Sequence, residues 1–229
     1  MRAKSDLRRR AQVLDRVHVP AQPGQLSADL ASSDLASADL DHVLGLLLLR
    51  ELQPLRVLGS ASVLNILRED NSVFGMLNRI PNQVEWSAMQ LDTARVLTSA
   101  AGEDSGLRCT PLSLGTRYPA YVMPRRAQEL APEDAVLGLV VESASGRRLA
   151  YMPAIGAIDE NLLQVLDSVD VLLFDGTFWS EDELIRVESS GATAQQMGHI
   201  PISGMDGSLL DPSGLGSMLA GCQQISRGR

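Results

Sequence analysis

Residues 171–179 of the chain read Val-Leu-Leu-Phe-Asp-Gly-Thr-Phe-Trp, and this stretch indicates the fold class. The first four residues are an unbroken apolar run of strand length, which predicts a strand buried on both faces. Asp175 follows directly at the C-terminal end of the predicted strand, where open α/β sheets place functional side chains. The stretch therefore predicts a sheet with a polar site at one edge.

A helix and a histidine follow this strand. The run Ser180-Glu181-Asp182-Glu183 fits a capping box, which predicts a helix beginning near Glu181. A loop at residues 189–191 and a second short helix then lead to His199, one of three histidines in the chain. Either His199 belongs to a functional site or its imidazole is simply hydrogen-bonded in the turn, and the sequence leaves both alternatives open.

The rest of the chain alternates strands and helices. Residues 55–58 read as a strand, and Ser60 is expected to cap a helix over residues 61–68. Asp159-Glu160-Asn161 opens a further helix, whose acidic first turn suits the helix dipole. Short strands are predicted at residues 96–98, 107–112, 118–123, 136–142 and 147–152, the last two forming a hairpin. Two blocks of strands with helices outside both faces is the simplest packing of this order.

The N-terminal part has a different character. Residues 1–36 are rich in Arg, Ala, Ser, Gln and Asp and predict a poorly anchored arm. Order is expected to begin at Asp39-Leu40-Asp41-His42, before an apolar helix predicted to be buried. The sequence thus predicts one domain over residues 37–218 and a short tail over residues 219–229.

Composition narrows the classes of function. The net charge of −8 disfavours nucleic acid and anionic membrane surfaces as partners. The longest apolar run, residues 43–49, is too short to span a bilayer. No apolar segment of a secretory signal follows the basic N-terminus, so we expect a cytoplasmic protein. No Gly-x-Ser-x-Gly motif is present, and a Ser or Cys hydrolase is disfavoured.

Asp39, Asp41 and His42 lie close together at the predicted start of the apolar helix. Two carboxylates and an imidazole at this spacing can converge on a cation if the loop is tightly turned. The alternative is that Asp39 or Asp41 merely caps the helix, and both alternatives stay open.

The number of histidines limits the kind of metal site. His18 falls in the predicted arm, so a site can draw only on His42 and His199, which excludes a His-rich dinuclear zinc centre. If the fold brings Asp175 and His199 beside Asp41 and His42, one cation could be held by two imidazoles and carboxylates. This is the ligand composition of a facial two-histidine-one-carboxylate iron site with open positions.

Three stretches carry a resemblance to a known family. The runs Leu-Leu-Phe-Asp-Gly-Thr-Phe-Trp at residues 172–179, Asp-Glu-Leu-Ile at 182–185 and Met-Gly-His-Ile-Pro-Ile-Ser-Gly-Met-Asp-Gly-Ser-Leu at 197–209 resemble the coenzyme PQQ synthesis protein B family, a branch of the metallo-β-lactamase superfamily. Residues 38–51 resemble that family's metal motif, in which other residues replace the first two superfamily histidines. Ser37 and Asp39 hold those places here. The resemblance covers residues 37–218.

The resemblance implies an αββα sandwich and a role in making pyrroloquinoline quinone (PQQ) from a Glu-Tyr cross-link. Two roles are implied: an iron-dependent oxygenase that hydroxylates the tyrosine ring, and a carrier that assists transport of PQQ to the periplasm. The partners would be a small-molecule PQQ precursor and other PQQ-biosynthesis proteins. The implied site holds Fe(II), uses Asp175 and His199 in catalysis, and takes its metal ligands from His42, His199, Asp41 and Asp175, with Asp39 as an additional candidate.

The chain also departs from the family pattern. Relatives begin with a glycine-rich strand and a cysteine-rich loop that binds a structural zinc, and residues 1–35 show neither, so that zinc is not expected. Relatives continue into a His-Ile-Asn-Asn-Thr-Asn-Pro segment whose histidine is an implied metal ligand. The departures predict a truncated or rearranged copy that lacks the first strand and the C-terminal strands. An inactive relative is therefore a further alternative, and a metal-dependent hydrolase is weaker because its histidines are missing.

Overall fold

The structure is a computed structural model, and two β-sheets form its centre. It describes residues 32–48, 55–79, 81–82, 84–99, 102–188, 191–204 and 207–208. The predicted C-terminal tail and most of the predicted N-terminal arm lie outside these residues. The boundaries of the predicted domain therefore stay a prediction.

The first sheet has three parallel strands in the order β1-β2-β3. The strands are β1 (Ser32–Asp34), β2 (Leu55–Gly59) and β3 (Val84–Ala88). β1 falls at the end of the predicted arm and pairs with β2, so the ordered part of the chain begins no later than residue 32.

The second sheet has five strands in sequence order. They are β4 (Arg95–Thr98), β5 (Asp104–Gly115), β6 (Val136–Ser143), β7 (Arg148–Met152) and β8 (Val171–Phe174). Neighbours from β4 to β7 pair antiparallel, which confirms the predicted hairpin, whereas β8 pairs parallel with β7. The parallel pair places the C-terminal ends of β7 and β8 side by side.

Helical segments flank both sheets. Ahead of the second sheet lie α1 (Leu40–Val43), α2 (Gly45–Leu48), α3 (Ala61–Asn65), a π-helical turn (Ile66–Asp70) and a 3₁₀ turn (Phe74–Asn78). Within and after it lie α4 (Pro124–Ala127), a 3₁₀ turn (Pro132–Asp134), α5 (Glu160–Asp167), α6 (Glu183–Val187) and α7 (Ala194–Met197).

Three buried clusters show how these layers pack. Between the sheets, Leu58 of β2 meets Cys109 of β5 and Leu137 of β6. Alternate residues point the other way, because side chains alternate between the two faces of a strand. Val57 packs with α3 outside the first sheet, and Val140 packs with α5 outside the second. The order of layers is helix, sheet, sheet, helix, as the sequence predicts.

Two helices begin near the residues that the sequence predicts, and each has a side-chain cap. The Ser60 hydroxyl accepts a hydrogen bond from the Val63 amide at the start of α3. The Asp159 carboxylate accepts from the Leu162 amide at 2.7 Å at the start of α5. Each side chain satisfies an amide that has no partner within its helix.

The predicted burial of strand β8 on both faces is wrong. Leu172 is buried, but Val171 and Leu173 are 40% and 49% exposed. Among the described residues β8 is the edge strand of its sheet, and only one of its faces packs against the core. An unbroken apolar run in the sequence does not show that one face of the strand is left uncovered by other elements.

The predicted capping box at Ser180 is also wrong. The Ser180 hydroxyl donates to Asp182, and the Glu183 carboxylate accepts from the Trp179 amide at 2.6 Å. Helix α6 therefore begins at Glu183, two residues later than predicted. The chain forms a turn just before the helix, and the side chains of Ser180 and Glu183 make their hydrogen bonds within this turn.

Two further predictions are corrected. The apolar helix is not buried all round, because Leu44 is 49% exposed while Val43 and Leu46 are buried. Residues 118–123 form a turn rather than a strand. Pro119 lies within this segment and lacks the amide hydrogen that a strand ladder needs.

Candidate functional site

A cavity of about 530 Å³ lies at the C-terminal ends of β7 and β8. This is the sheet edge at which α/β folds place ligands, and its volume is in the range of small-molecule sites. Its lining residues are His42, Tyr151, Met152, Pro153, Leu172, Leu173, Phe174, Asp175, Gly176 and Thr177. An apolar wall thus faces a few polar groups.

Asp175 is the buried polar centre of this edge. Its side chain is 1% exposed. Oδ2 lies 2.6 Å from Nδ1 of His199 and accepts from the Ile155 amide at 3.4 Å. Oδ1 accepts from the Thr177 amide at 3.0 Å and from the Thr177 hydroxyl at 2.7 Å. Because both oxygens have partners, the carboxylate is held in one orientation.

Helix α7 ends just before His199 and places it beside Asp175. Thr193 and Gln196 form a capping box at the start of α7. Gly198 ends the helix with φ 88°, a left-handed conformation that glycine adopts without strain. The next residue is His199, whose ring meets the Phe178 ring edge-on with centroids 5.5 Å apart.

The Asp175–His199 contact shifts the pKa values of both groups. Burial raises the pKa of Asp175, but hydrogen bonds from His199 and Thr177 together lower it below its usual value. The hydrogen bond to Asp175 raises the pKa of His199, which burial partly offsets, and the charges of Asp175 and Asp39 raise it further. Each shift in pKa is thus toward the charged form of the group, because the partner stabilises that charge.

Ser37 connects two of the predicted metal residues. Its hydroxyl, almost fully buried, donates to Asp39 Oδ2 at 2.8 Å and lies 2.9 Å from His42 Nδ1. Asp39 occupies the N-cap position of α1, yet its side chain makes no capping hydrogen bond. The capping alternative is therefore not observed for Asp39.

Asp41 faces solvent beside His42. Its side chain is 83% exposed, and Oδ2 lies 3.8 Å from Nε2 of His42. This separation is too long for a hydrogen bond. Asp41 thus neither occupies the cap position of the helix nor pairs closely with the imidazole.

The structure gathers most of the predicted site at one edge. His42 and Asp175 line the same cavity, and His199 is hydrogen-bonded to Asp175. Within the part of the chain that the structure describes, however, no three His, Cys, Asp or Glu side chains are placed to hold a metal ion. The predicted ligand set stays a prediction.

Two supporting residues escaped the sequence analysis. Thr177 holds Asp175 through both its amide and its hydroxyl. The Tyr121 hydroxyl donates to the Ala38 carbonyl, 83 positions away, and so anchors the loop between Ser37 and Asp39. An Asp-x-Thr turn can be recognised from sequence, but no local signal indicates the contact of Tyr121.

Comparison with known proteins identifies the family. The model of the β-lactamase superfamily domain matches residues 6–210 of this chain. The chain belongs to the β-lactamase superfamily. Within the part described by the structure, no helix is long and apolar enough to cross a membrane.

Several superfamily members resemble this chain over most of its length. Coenzyme PQQ synthesis protein B of Xanthomonas euvesicatoria pv. vesicatoria is 33% identical over 201 residues, which cover 87% of this chain and 64% of the relative. The protein of the same name from Nitrosococcus oceani is 35% identical and covers 83% of this chain and 62% of its own length. The resemblance predicted from the sequence is confirmed, and the chain spans less than two thirds of these relatives.

Solved structures of the superfamily agree with the fold. Zinc-bound PqqB from Methylobacterium extorquens superposes with a TM-score of 0.65 at 30% identity, covering 78% of this chain and 56% of that one. The metallo-β-lactamase fold protein YhfI from Bacillus subtilis gives a TM-score of 0.51 at 14% identity, covering 89% and 67%. The predicted metallo-β-lactamase fold is confirmed.

The hydrogen bonds of the two histidines at this site are compatible with metal binding. Each of His42 and His199 uses Nδ1 for a contact with an oxygen, to Ser37 and Asp175 respectively, which leaves Nε2 as the available ring nitrogen. Metal-ligating histidines have this arrangement. Nε2 of His42 and Nε2 of His199 are therefore the ring nitrogens open to a cation, and their combination with the Asp41 carboxylate stays a prediction.

Proposed function

We propose that this chain acts in PQQ biosynthesis as an iron-dependent hydroxylase of the tyrosine ring in a Glu-Tyr-derived intermediate. The observation that carries the proposal is the buried Asp175–His199 pair beside a cavity that His42 also lines. The similarity to coenzyme PQQ synthesis proteins supports the pathway. The proposal places the chain in the cytoplasm with other PQQ-biosynthesis proteins.

Each part of the site has a task in this proposal. His42 and His199 would hold Fe(II) through Nε2, with Asp41 as a carboxylate donor, and the ion would supply activation of dioxygen at its open positions. Asp175 keeps the proton of His199 on Nδ1 and fixes the plane of the ring.

The apolar wall of the cavity suits an aromatic substrate. Tyr151, Leu173 and Phe174 line it and offer a surface against which a phenol ring can pack. Covering the ring also excludes water from the reacting carbon. Thr177 keeps the neighbouring carboxylate in place while the substrate binds.

Metal analysis of protein purified without oxygen tests the proposal. We expect about one iron per chain, lost in a His42→Ala/His199→Ala double variant. With dioxygen and an added two-electron reductant, turnover should add one oxygen atom to the substrate ring and release the other as water, and mass spectrometry measures the mass gain. His18→Ala is the matched control, because His18 is the third histidine of the chain and lies outside the predicted domain. Iron retained by the double variant, or absent from the unaltered protein, would contradict the proposal.

Zinc provides a second comparison. The solved Methylobacterium extorquens relative is zinc-bound, and zinc has no redox chemistry of its own. We expect zinc to compete for the same donors and to inhibit hydroxylation. Equal hydroxylation by iron-loaded and zinc-loaded protein would refute a role for iron.

One observation favours a carrier as the second candidate. Among the described residues no three potential ligands are placed to hold an ion, whereas the cavity of about 530 Å³ needs no metal to accept a small molecule. A carrier would bind PQQ or its precursor equally well with and without metal, as measured by calorimetry. Binding that requires the metal would exclude it.

A further inference from the structure

The Ser37 hydroxyl has three polar neighbours and almost no contact with solvent. It lies 2.8 Å from Asp39 Oδ2, 2.9 Å from His42 Nδ1 and 3.3 Å from the Asp39 amide nitrogen. The side chain is buried at the start of the loop that leads into α1. All the hydrogen-bonding capacity of one hydroxyl is thus used within this loop.

The chemistry of these neighbours fixes the direction of each bond. A hydroxyl donates one hydrogen and accepts two. The Asp39 amide can only donate, and an ionised carboxylate can only accept. The single hydrogen of Ser37 is therefore taken by Asp39 Oδ2, and the contact with His42 requires a hydrogen on Nδ1.

We infer that Asp39 and Ser37 form a relay that fixes His42 as the Nδ1–H tautomer. The lone pair of the ring then lies on Nε2. Asp175 does the same for His199 directly, whereas in the relay a serine stands between the carboxylate and the imidazole. The inference rests on the proposed function only in its use of Nε2 as a metal donor.

The relay gives Ser37 and Asp39 positioning roles. Ser37 has no hydrogen or free acceptor site left for substrate or metal, and Asp39 Oδ2 is occupied by the Ser37 hydroxyl. Oδ2 of Asp39 is thereby assigned to the orientation of His42. The Tyr121 hydroxyl, bonded to the intervening Ala38 carbonyl, holds the relay in register.

Nitrogen-15 NMR of the metal-free full chain reads the tautomer directly. The chain has three histidines, so His18→Gln and His199→Gln variants suffice to assign the signals of His42. At a pH where His42 is neutral, we expect a pyrrole-type shift for Nδ1 and a pyridine-type shift for Nε2. The opposite pattern in the unaltered protein overturns the inference without any variant at the relay.

Two variants separate the roles of the relay residues. Ser37→Ala removes the acceptor, and the two His42 nitrogens should move to intermediate shifts that report a tautomer mixture. Asp39→Ala frees the Ser37 hydrogen to point at Nδ1, so the ring should switch to the Nε2–H tautomer. An unchanged Nδ1–H tautomer in both variants would show that the relay does not control the ring.

Ser62→Ala is the matched control. Ser62 is also buried and donates to a carboxylate, Asp134 Oδ2, at 2.9 Å, but among the described residues no histidine joins this hydrogen-bonding network. Ser62→Ala should leave the nitrogen shifts of His42 unchanged. A change in these shifts would mean that the relay variants act by destabilising the fold in general. The NMR experiment uses metal-free protein, so its result does not depend on iron binding. A failure to bind iron would refute the proposed function but not the inferred tautomer.

Discussion

His199 Nδ1 lies 2.6 Å from Asp175 Oδ2 and joins two segments that are 24 positions apart in the chain. Asp175 follows an edge strand, and His199 follows a helix of four residues. The pair therefore contributes to the stability of this edge as well as to its chemistry.

We predict that this pair makes stability depend on pH within a defined window. The lowered pKa of Asp175 gives a contribution present above the ordinary value of 3.8 and lost as the pH falls through the folded pKa. The raised pKa of His199 gives a contribution present below 6.5 and lost as the pH rises through its folded pKa. Asp175→Asn should cost most between these values, about 1.5–3 kcal/mol.

Urea unfolding across this pH range measures the difference between the variant and the unaltered protein. Glu85→Gln is the control, because Glu85 pairs with Arg56 at 3.0 Å but is 62% exposed. Exposed pairs contribute about 0–1 kcal/mol. A difference for Asp175→Asn that stays constant from acid to neutral pH would mean that the charged pair does not stabilise the edge.

Neighbouring leucines on β8 test which face of this strand is buried. Leu172 is 6% exposed and Leu173 is 49% exposed. Leu172→Ala should lower the free energy of unfolding by about 2–5 kcal/mol, because it leaves a cavity in the core. Leu173→Ala should change it by no more than about 0.5 kcal/mol. Similar large losses of unfolding free energy in both variants would show that the strand is buried on both faces, as the sequence suggests.

Thr193 and Ser180 distinguish the observed capping box from the predicted one. Thr193→Ala removes the hydroxyl that accepts from the Gln196 amide and should cost about 0.5–2 kcal/mol in thermal or urea unfolding. Ser180→Ala removes a hydroxyl that caps no helix and should cost less. A greater loss from Ser180→Ala would place the start of α6 at Ser180 after all.

Signals confined to a few neighbouring residues predict this fold well. Ser60 and Asp159 cap their helices because a cap depends on an amide three residues ahead. The hairpin of β6 and β7 likewise depends on a short connection. Asp175 could be placed at a strand end because an apolar run stopped there.

Relations between distant segments could not be predicted in the same way. Ser37 gives no sign in sequence that its hydroxyl is buried between Asp39 and His42, since this follows from how the loop turns. The bond from Tyr121 to Ala38 depends on the packing of two loops. The exposure of Leu173 depends on which layers cover the sheet.

Gly138 of β6 lies against Met152, a residue that lines the cavity. A Cβ atom added there would overlap Met152 Sδ and approach Leu114 Cδ1 to 2.9 Å. Met152 is fully buried among core side chains, so it has little room to move. Gly138→Ala should therefore cost about 1–3 kcal/mol, the usual result of overpacking a core.

Gly115→Ala is the matched substitution on the neighbouring strand β5. A Cβ at Gly115 would lie 3.5 Å from Val136, which is ordinary contact. Because alanine also restricts the unfolded chain, this variant should be neutral or more stable by up to about 1 kcal/mol. Urea unfolding of both variants separates overlap from a general intolerance of alanine in the sheet. If Gly138→Ala proved as stable as Gly115→Ala, the Met152 side chain would have to move to make room. This part of the cavity wall would then be more mobile than its burial indicates.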